Sequence, residues 1–279
     1  MNKSTIAAAI LFGLSSASAL AANDNNYQHE AQLDYKTSSE EFSDGNWDLN
    51  YRYYTSPVDQ KTVPYALSGF LAQTSNVGAH YGFDNSNNND INRYGIDGEY
   101  VFDSKWFIGA IIDRTDYDVA DTDSYGIQGG YYFNDTSAVY ATYSRTNHNF
   151  DSRYFPNYVS DTDTDNFAFG VKGYLPFKTT EGILLAAEYN NYHFSYSDYN
   201  VSSTLNTFDM KADWYITRAW SFGGIYQITD ESGSDDNYAL NTAYFLRITD
   251  SISARILVAK QFEPDSDGVF GTLSLNGRF

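Results

Sequence analysis

Large apolar side chains alternate with polar ones along most of this chain. In residues 27–36, every second position from Tyr27 carries an aromatic, aliphatic or histidine side chain, and the positions between are polar. That alternation is typical of a β-strand with one polar face. A break at Asp44 and Gly45 leads into a second alternating stretch, 47–54. These two stretches predict an antiparallel hairpin.

The same pattern continues to the end of the chain and predicts fourteen strands in all. Beyond the first hairpin, strands are expected near residues 63–73, 92–102, 105–115, 123–133, 137–147, 165–175, 182–193, 205–216, 219–229, 236–248, 251–261 and 269–279. The strand at 63–73 is the most ambiguous, because the residues from Tyr65 to Gln73 can alternate in either sense.

The connections between these strands are alternately short and long. The short ones are Asp103-Ser104, Asn134-Asp135-Thr136, Thr217-Arg218 and Asp250, and the longer ones cover 84–90, 148–163, 195–203 and 231–235. A transmembrane barrel has this asymmetry, with tight periplasmic turns and longer outer loops, and an even strand count puts both chain ends on the periplasmic side.

Strand direction then orders the aromatic residues into two groups, as expected for the two interfaces of a bilayer. The periplasmic group is Phe102, Trp106, Phe133, Trp214, Trp220 and Phe279, and the outer group is Tyr35, Trp47, Tyr94, Tyr125, Phe167 and Tyr238. We therefore predict an all-β fold, a transmembrane antiparallel up-and-down β-barrel of about fourteen strands.

The beginning of the chain has the composition of an export signal. Lys3 supplies a positive charge, residues 6–14 are mostly apolar, and Ala19-Leu20-Ala21 is a small-residue cleavage pattern. We expect residues 1–21 to be a cleaved signal peptide and residues 22–279 to form the barrel domain. No later apolar run approaches the length of a membrane-spanning helix.

Composition supports strands and restricts the partners. The chain has 26 Tyr and 19 Phe, residues that favour strands, and no cysteine. A formal net charge of −19 argues against nucleic acid as a partner. No phosphate-binding loop or zinc-ligand spacing occurs, so we expect no cofactor and no metal.

A soluble β-sandwich would alternate in the same way, because one face of each strand is apolar in both classes. The signal pattern, the alternating connection lengths and the ordered aromatics favour the membrane barrel.

The last strand carries a resemblance to known proteins. From Val269 to Phe279 every second residue is apolar or glycine, and the chain stops on that phenylalanine. This end resembles a Gram-negative outer-membrane protein, in which a final aromatic strand is read by the barrel-assembly machinery; the resemblance implies that Phe279 is an assembly signal and that the chain is located in the bacterial cell outer membrane. Membrane lipid and lipopolysaccharide are then its surroundings.

In size and strand count the chain is similar to the small monomeric outer-membrane porins. That resemblance implies passive diffusion of ions and small hydrophilic solutes through a monomer. The chain lacks the Pro-Glu-Phe-Gly-Gly-like motif of the constriction loop in larger trimeric porins, and no outer loop is long enough to form one easily. Both features argue against a folded-in plug and against a trimer.

Charged residues of both signs are expected to line the pore. The acids are Glu30, Asp34, Asp48, Asp97, Glu99, Asp113, Glu188, Asp209 and Asp213, and the bases are Arg52, Arg93, Lys172, Lys211, Arg247, Arg255 and Arg278. We expect a water-filled path with a transverse field and a weak preference for cations. The alternative is that these charges pair across strands and only stabilise the wall.

Other candidates are weaker. Tyr54, Tyr140, Tyr174 and Tyr215 could stack sugars, although ordinary wall packing is the simpler interpretation. Acids at 161–165, 230–236 and 265–267 could hold divalent ions that bridge lipopolysaccharide, or could form a solvated rim.

Two further function classes stay open. A protease-like or lipase-like barrel enzyme would need a nucleophile and a base, for which Ser144 and His148 are the candidates. Four residues of extended strand keep these two beyond hydrogen-bond reach, and no strong motif surrounds them. A structural or adhesive surface protein would act through its loops, which are fairly short here.

Overall fold

The computed structural model describes residues 26–40, 42, 45–84, 91–117, 120–150, 162–196, 201–230, 236–264 and 266–279. The predicted signal peptide, 1–21, lies outside the described residues.

The chain folds into one closed barrel in which each strand pairs antiparallel with its sequence neighbours. The strands are β1 (Asn26–Ser38), β2 (Asn46–Asp59), β3 (Asn76–Asp84), β4 (Ile91–Val101), β5 (Trp106–Tyr117), β6 (Ala120–Asn134), β7 (Ser137–Phe150), β8 (Thr162–Pro176), β9 (Gly182–Tyr196), β10 (Val201–Tyr215), β11 (Trp220–Thr229), β12 (Asn237–Arg247), β13 (Ile252–Glu263) and β14 (Phe270–Arg278). The predicted antiparallel barrel of fourteen strands is confirmed.

The barrel closes where β1 pairs with β14, with Leu33 opposite Leu275. The amide of His29 donates to the carbonyl oxygen of Phe279 at 2.7 Å, and the amide of Phe279 donates back to the carbonyl oxygen of His29 at 3.0 Å. The phenyl ring of Phe279 stacks on the imidazole of His29, with 5.5 Å between ring centroids. The last residue therefore contributes both backbone bonds and ring contact to the seam.

The prediction of a strand at 63–73 is wrong. Residues Tyr65–Leu67 form a turn of 3₁₀ helix, Ser68–Ala72 form a short helix, α1, and the third strand is β3, Asn76–Asp84. Leu67 and Phe70 are apolar because they pack inside the barrel, so their spacing imitated one face of a strand. The real alternation lies further on, where Val77 and Tyr81 face outward.

The outer surface is a broad apolar band. All the predicted interface aromatics except Tyr35 and Phe279 are well exposed on this surface, and those two are half-buried. Tyr35 packs against Trp47, with 4.7 Å between ring centroids. This face is suited to lipid, because a water-soluble protein rarely exposes a continuous apolar surface of this extent. Among the described residues, no helix is both long enough and apolar enough to span a bilayer.

Candidate functional site

The barrel encloses a cavity of about 800 Å³. Its wall carries charged side chains from β1, β2, β4, β8, β10, β13 and β14, and its floor carries Leu67 and Phe70. A second space of about 440 Å³ adjoins it and shares Phe70, Glu99, Tyr132 and Lys172. The interior is therefore a charged chamber with an apolar floor.

The floor belongs to the connection between β2 and β3, residues 60–75, which we call the plug segment. This connection lies at the end of the barrel that holds both termini, the predicted periplasmic end. The segment turns inward, and Tyr65, Leu67 and Phe70 contact strands on the far side of the barrel. The remaining connections at this end that the structure describes are short turns.

Apolar packing holds the middle of the plug segment. Leu67 is only 4% exposed and lies in a buried cluster with Tyr174, Leu184 and Tyr215. Phe70 packs against this cluster and also against the ring of Tyr132, at 6.3 Å between centroids. The side chains that anchor the segment thus come from β6, β8, β9 and β10.

Hydrogen bonds fix the segment to the remaining wall. The hydroxyl groups of Ser68 and Tyr27 are 2.8 Å apart. Arg278 donates from Nη2 to the carbonyl oxygen of Tyr65 at 3.0 Å. The side-chain amide of Gln73 donates to the carbonyl oxygen of Asn134 at 2.7 Å. All of these bonds join elements far apart in sequence, so the segment is held as part of the fold.

The inward segment differs from the folded-in plug that the sequence argues against. That argument concerns outer loops, as in the larger porins, whereas this segment comes from the opposite end of the barrel. Pro64 and Gly69 within the ambiguous stretch 63–73 were the available signal, because both residues disfavour a central strand.

All sixteen predicted pore residues occupy strand positions that alternate with the outward-facing ones. Some of them pair with one another. These pairs are Glu30 with Arg278 at 2.8 Å, Arg52 with Asp97 at 2.7 Å and Lys211 with Asp213 at 3.1 Å. Which of these charges meet depends on strand register.

Another group pairs with residues that sequence reasoning did not select. Three of these are ion pairs: Asp48 with Lys36 at 2.6 Å, Arg93 with Asp84 at 3.9 Å and Arg247 with Asp250 at 3.4 Å. In the fourth, the imidazole Nε2 of His80 lies 2.9 Å from a carboxylate oxygen of Asp113. Pairing of opposite charges, the alternative considered for these residues, thus occurs at many positions along the wall.

The remaining acids have neutral partners. Asp34 accepts from Gln32 at 2.9 Å, Glu99 from Tyr132 at 3.1 Å, Glu188 from Tyr140 at 2.7 Å and Asp209 from Asn190 at 2.9 Å. Hydrogen bonds of this kind hold a carboxylate in place without cancelling its charge.

The last two predicted pore residues are the cations Lys172 and Arg255. The Lys172 ammonium lies 4.2 Å from the centroid of the Phe70 ring. Arg255 lines the cavity beside Phe245 and makes no ion pair or hydrogen bond with any residue that the structure describes.

The lumen tyrosines pack within the wall and around the plug segment. Tyr54 donates to Glu30 at 3.1 Å and packs edge-on against Tyr27 at 5.6 Å between centroids. Tyr174 and Tyr215 are buried against Leu67. These contacts favour wall packing over an open sugar-stacking track.

The candidate catalytic pair is not assembled. Ser144 and His148 lie on one strand, opposite Gly126 and Thr122 of β6. The imidazole Nδ1 of His148 is 3.0 Å from the hydroxyl of Thr122. Four residues of extended strand span about 13 Å, well beyond a hydrogen bond.

The acidic loops fall partly outside the described residues, including Asp161, 231–235 and Asp265. Of those described, Asp163 pairs with Arg145 at 2.6 Å. Asp230 accepts hydrogen bonds from the side-chain amide and the backbone amide of Asn206, which lower the pKa of its carboxyl. Within the described ranges, no three His, Asp or Glu side chains are grouped closely enough to hold a metal ion.

We expect Leu67→Asp to release the plug segment and raise single-channel conductance. A carboxylate buried among Tyr174, Leu184 and Tyr215 would lack the water that stabilises its charge, so the segment should leave its seat. Conductance in planar bilayers measures the effect.

Ala66→Asp is the matched control, because Ala66 is exposed and the same charge there needs no desolvation. Equal rises in both variants would attribute the effect to charge alone. No rise with Leu67→Asp would mean that this cluster does not hold the segment.

A closed transmembrane barrel that surrounds a charged chamber is the architecture of outer-membrane channel proteins. A family model described as "Putative general bacterial porin" matches residues 1–276. The chain belongs to this family of bacterial porins, and it is a protein of the bacterial outer membrane.

Solved structures share the fold. The outer membrane protein Omp33 of Acinetobacter baumannii is 20% identical, with a TM-score of 0.56 over 91% of this chain and 99% of that chain. The toluene transporter TbuX of Ralstonia pickettii is 9% identical, with a TM-score of 0.51 over 91% of this chain and 90% of that chain. A bacterial polysaccharide outer membrane secretin is 13% identical, with a TM-score of 0.50 over 91% and 99%. No curated protein matches the sequence.

Proposed function

We propose that the chain is a passive channel for ions and small hydrophilic solutes, with a weak preference for cations, and that the plug segment limits its conductance. The observation that carries the proposal is the charged chamber of about 800 Å³ whose floor is the plug segment. Water and ions can occupy such a chamber, because its wall offers polar groups from most strands.

The weak cation preference rests on the uncompensated acids. Glu188 and Asp209 face the interior on β9 and β10, and their hydrogen-bond partners are neutral residues. The net charge of −19 adds to a negative potential around the barrel. Arg52 and Arg278 contribute little opposing field, because each is paired with a carboxylate.

Bilayer recordings under a KCl gradient test the proposal. We expect discrete conductance steps and a reversal potential of the sign given by K⁺ permeating faster than Cl⁻. A correctly folded barrel without any steps would contradict the channel function.

Glu188→Gln/Asp209→Asn should move the reversal potential towards zero, because the variant removes two unpaired negative charges from the lumen wall. Asp103→Asn/Asp135→Asn is the matched control, since these two acids lie in exposed turns between strands. An identical shift in both variants would attribute the preference to overall charge and not to the lumen.

The proposal includes export and assembly. We propose that residues 1–21 are removed on export, that 22–279 form a monomeric barrel, and that the barrel-assembly machinery reads Phe279. Lipopolysaccharide is the proposed partner of the outer edge. At this edge, β5 and β6 extend beyond the interface aromatic Tyr125. In this part of the two strands, Arg114 forms ion pairs with Asp116 and Asp121 at 2.8 Å each and with Asp123 at 3.1 Å.

A further inference from the structure

His80 of β3 and Asp113 of β5 meet on the inner wall of the barrel. The imidazole Nε2 of His80 lies 2.9 Å from Oδ1 of Asp113, and 29% of each side chain is exposed. Both residues are opposite Gly95 of β4, the strand between them. The two side chains therefore make contact across a whole strand.

Gly95 leaves the space in which this contact forms. A Cβ atom at position 95 would overlap Oδ1 of Asp113 and would lie 2.7 Å from Cε1 of His80. Glycine in a strand often marks such a close approach, and a larger residue here would separate the pair. The same arrangement occurs one strand earlier, where Arg52 and Asp97 meet over Gly78.

The pair lies beside the main chamber, on the side of the outer mouth. Asp97 of β4 and Ile111 of β5 line the chamber. Gly95 and Asp113 are the next inward positions on these two strands in the outward direction. Two residues of a strand span about 7 Å, which is within the range of an unscreened unit charge. Ions that move between the outer mouth and the chamber therefore experience the charge of this pair.

The surrounding residues do not compensate a change of charge on His80. Asn50 of β2 is opposite His80, and Ser124 of β6 is opposite Asp113. The adjacent inward positions on β3 and β5 are also uncharged: Gly78, Gly82, Ile111 and Thr115. The charged side chains at the adjacent inward positions of β2 and β4 have partners of opposite charge: Asp48 with Lys36, Arg52 with Asp97 and Arg93 with Asp84.

The charge of the pair depends on the protonation of the imidazole. Histidine is the side chain that ordinarily changes charge between about pH 5 and pH 8. A protonated imidazole beside Asp113 gives a pair without net charge. A neutral imidazole leaves the carboxylate uncompensated, so Asp113 then adds to the negative field of the other inward acids.

We infer that His80 and Asp113 make the cation preference of the channel depend on pH, with a stronger preference at about pH 8 than at about pH 6. The inference deepens the proposed channel function and rests on it. His80 and Asp113 are then specificity-determining residues, and Gly95 is the positioning residue that lets them meet.

Reversal potentials of the full barrel in planar bilayers, under a KCl gradient at about pH 6 and about pH 8, test the inference. We expect the K⁺/Cl⁻ permeability ratio to rise by about twofold between these conditions, because salt screens much of the field of one unit charge. A ratio that stays constant or falls would contradict the inference.

His80→Gln should show at the lower pH the ratio that the unaltered protein reaches only at the higher pH. The physical reason is that the carboxylate of Asp113 then stays uncompensated in both conditions. Asp113→Asn should have the opposite effect at the higher pH, where its ratio should equal that of the unaltered protein at the lower pH. In both of these states the pair carries no net charge.

His193→Gln is the matched control, because it removes an exposed imidazole from the outward side of β9. The pH response of this variant should equal that of the unaltered protein. An equal loss of the response in His193→Gln, or a full response that survives in His80→Gln, overturns the inference.

The same recordings distinguish this inference from the proposed function. A barrel that shows cation-preferring steps with the same permeability ratio in both conditions retains the channel function and refutes the role of His80. A folded barrel without steps refutes the channel function, and the inference that rests on it is then refuted as well.

Discussion

Replacing residues 61–73 with a Gly-Ser-Gly-Ser linker should raise single-channel conductance several-fold. The plug segment carries Leu67 and Phe70 across the lumen, and its removal leaves the chamber without a floor. The linker and its flanking residues can bridge Asp59 and Asn76, because seven residues extend to about 23 Å. Bilayer recordings measure the step size, and resistance of the barrel to denaturation by detergent on unheated gels reports its folding.

The control for this variant is a replacement of residues 178–179 by Gly-Ser. That turn joins β8 and β9 at the same end of the barrel but does not belong to the plug segment. Its conductance should equal that of the unaltered protein. If the linker variant folds and its step size is also unaltered, then another part of the lumen limits the current.

The second large effect is expected for Phe279→Ser, which should reduce folded protein in the outer membrane to a small fraction. The proposed assembly signal is lost, and so is the ring that stacks on His29 at the seam between β1 and β14. Quantifying the barrel in purified outer membranes, relative to total chain synthesised, measures the effect. The channels that do assemble should keep their conductance, because Phe279 lies on the outward-facing side of β14.

Phe133→Ser tests whether the loss of any interface aromatic side chain lowers assembly, or only the loss of the final residue. Phe133 is an exposed outward aromatic near the same end of the barrel, but it belongs to β6. We expect this variant to assemble nearly normally. Equal losses in both variants would mean that interface aromatics matter in general and that the final residue carries no special signal.

The plug segment fills part of the barrel interior. A barrel of fourteen strands is too wide for its own wall side chains to fill. Here Leu67 and Phe70 reach Tyr132, Leu184 and Tyr215 and close the gap that the wall leaves. The space that remains above them is lined by charged side chains of both signs, so we expect the same segment to limit the conductance.

Much of this architecture follows from alternation alone. Along β10, Phe208, Met210 and Trp214 face outward while Asp209 and Lys211 face inward, and a period of two in the sequence is enough to assign both faces. Short turns such as Asp103-Ser104 fix strand direction, and strand direction orders the interface aromatics. Each of these inferences depends only on near neighbours in the chain.

The prediction of a strand at 63–73 failed for a specific physical reason. In a soluble protein or a membrane barrel, apolar residues mark the buried or lipid-facing side of an element, and the sequence does not say which surface buries them. Leu67 is apolar because it contacts Tyr174, Leu184 and Tyr215, which lie more than a hundred residues away. A contact of that range has no local signature, and a short helix with two apolar anchors resembles a short strand.

What the sequence determined by itself is therefore the barrel: its strand number, the position of thirteen of the fourteen strands and the two faces of those strands. Only the tertiary structure decided which of the charges on the inner wall are paired. Arg278 meets Glu30 across the seam and Arg52 meets Asp97 two strands away, whereas Lys172 and Arg255 are left with no ion pair within the described part of the chain. The reason is that alternation sets the side of the sheet on which a side chain lies, while its partners are set by strand register and by the inward course of the plug segment.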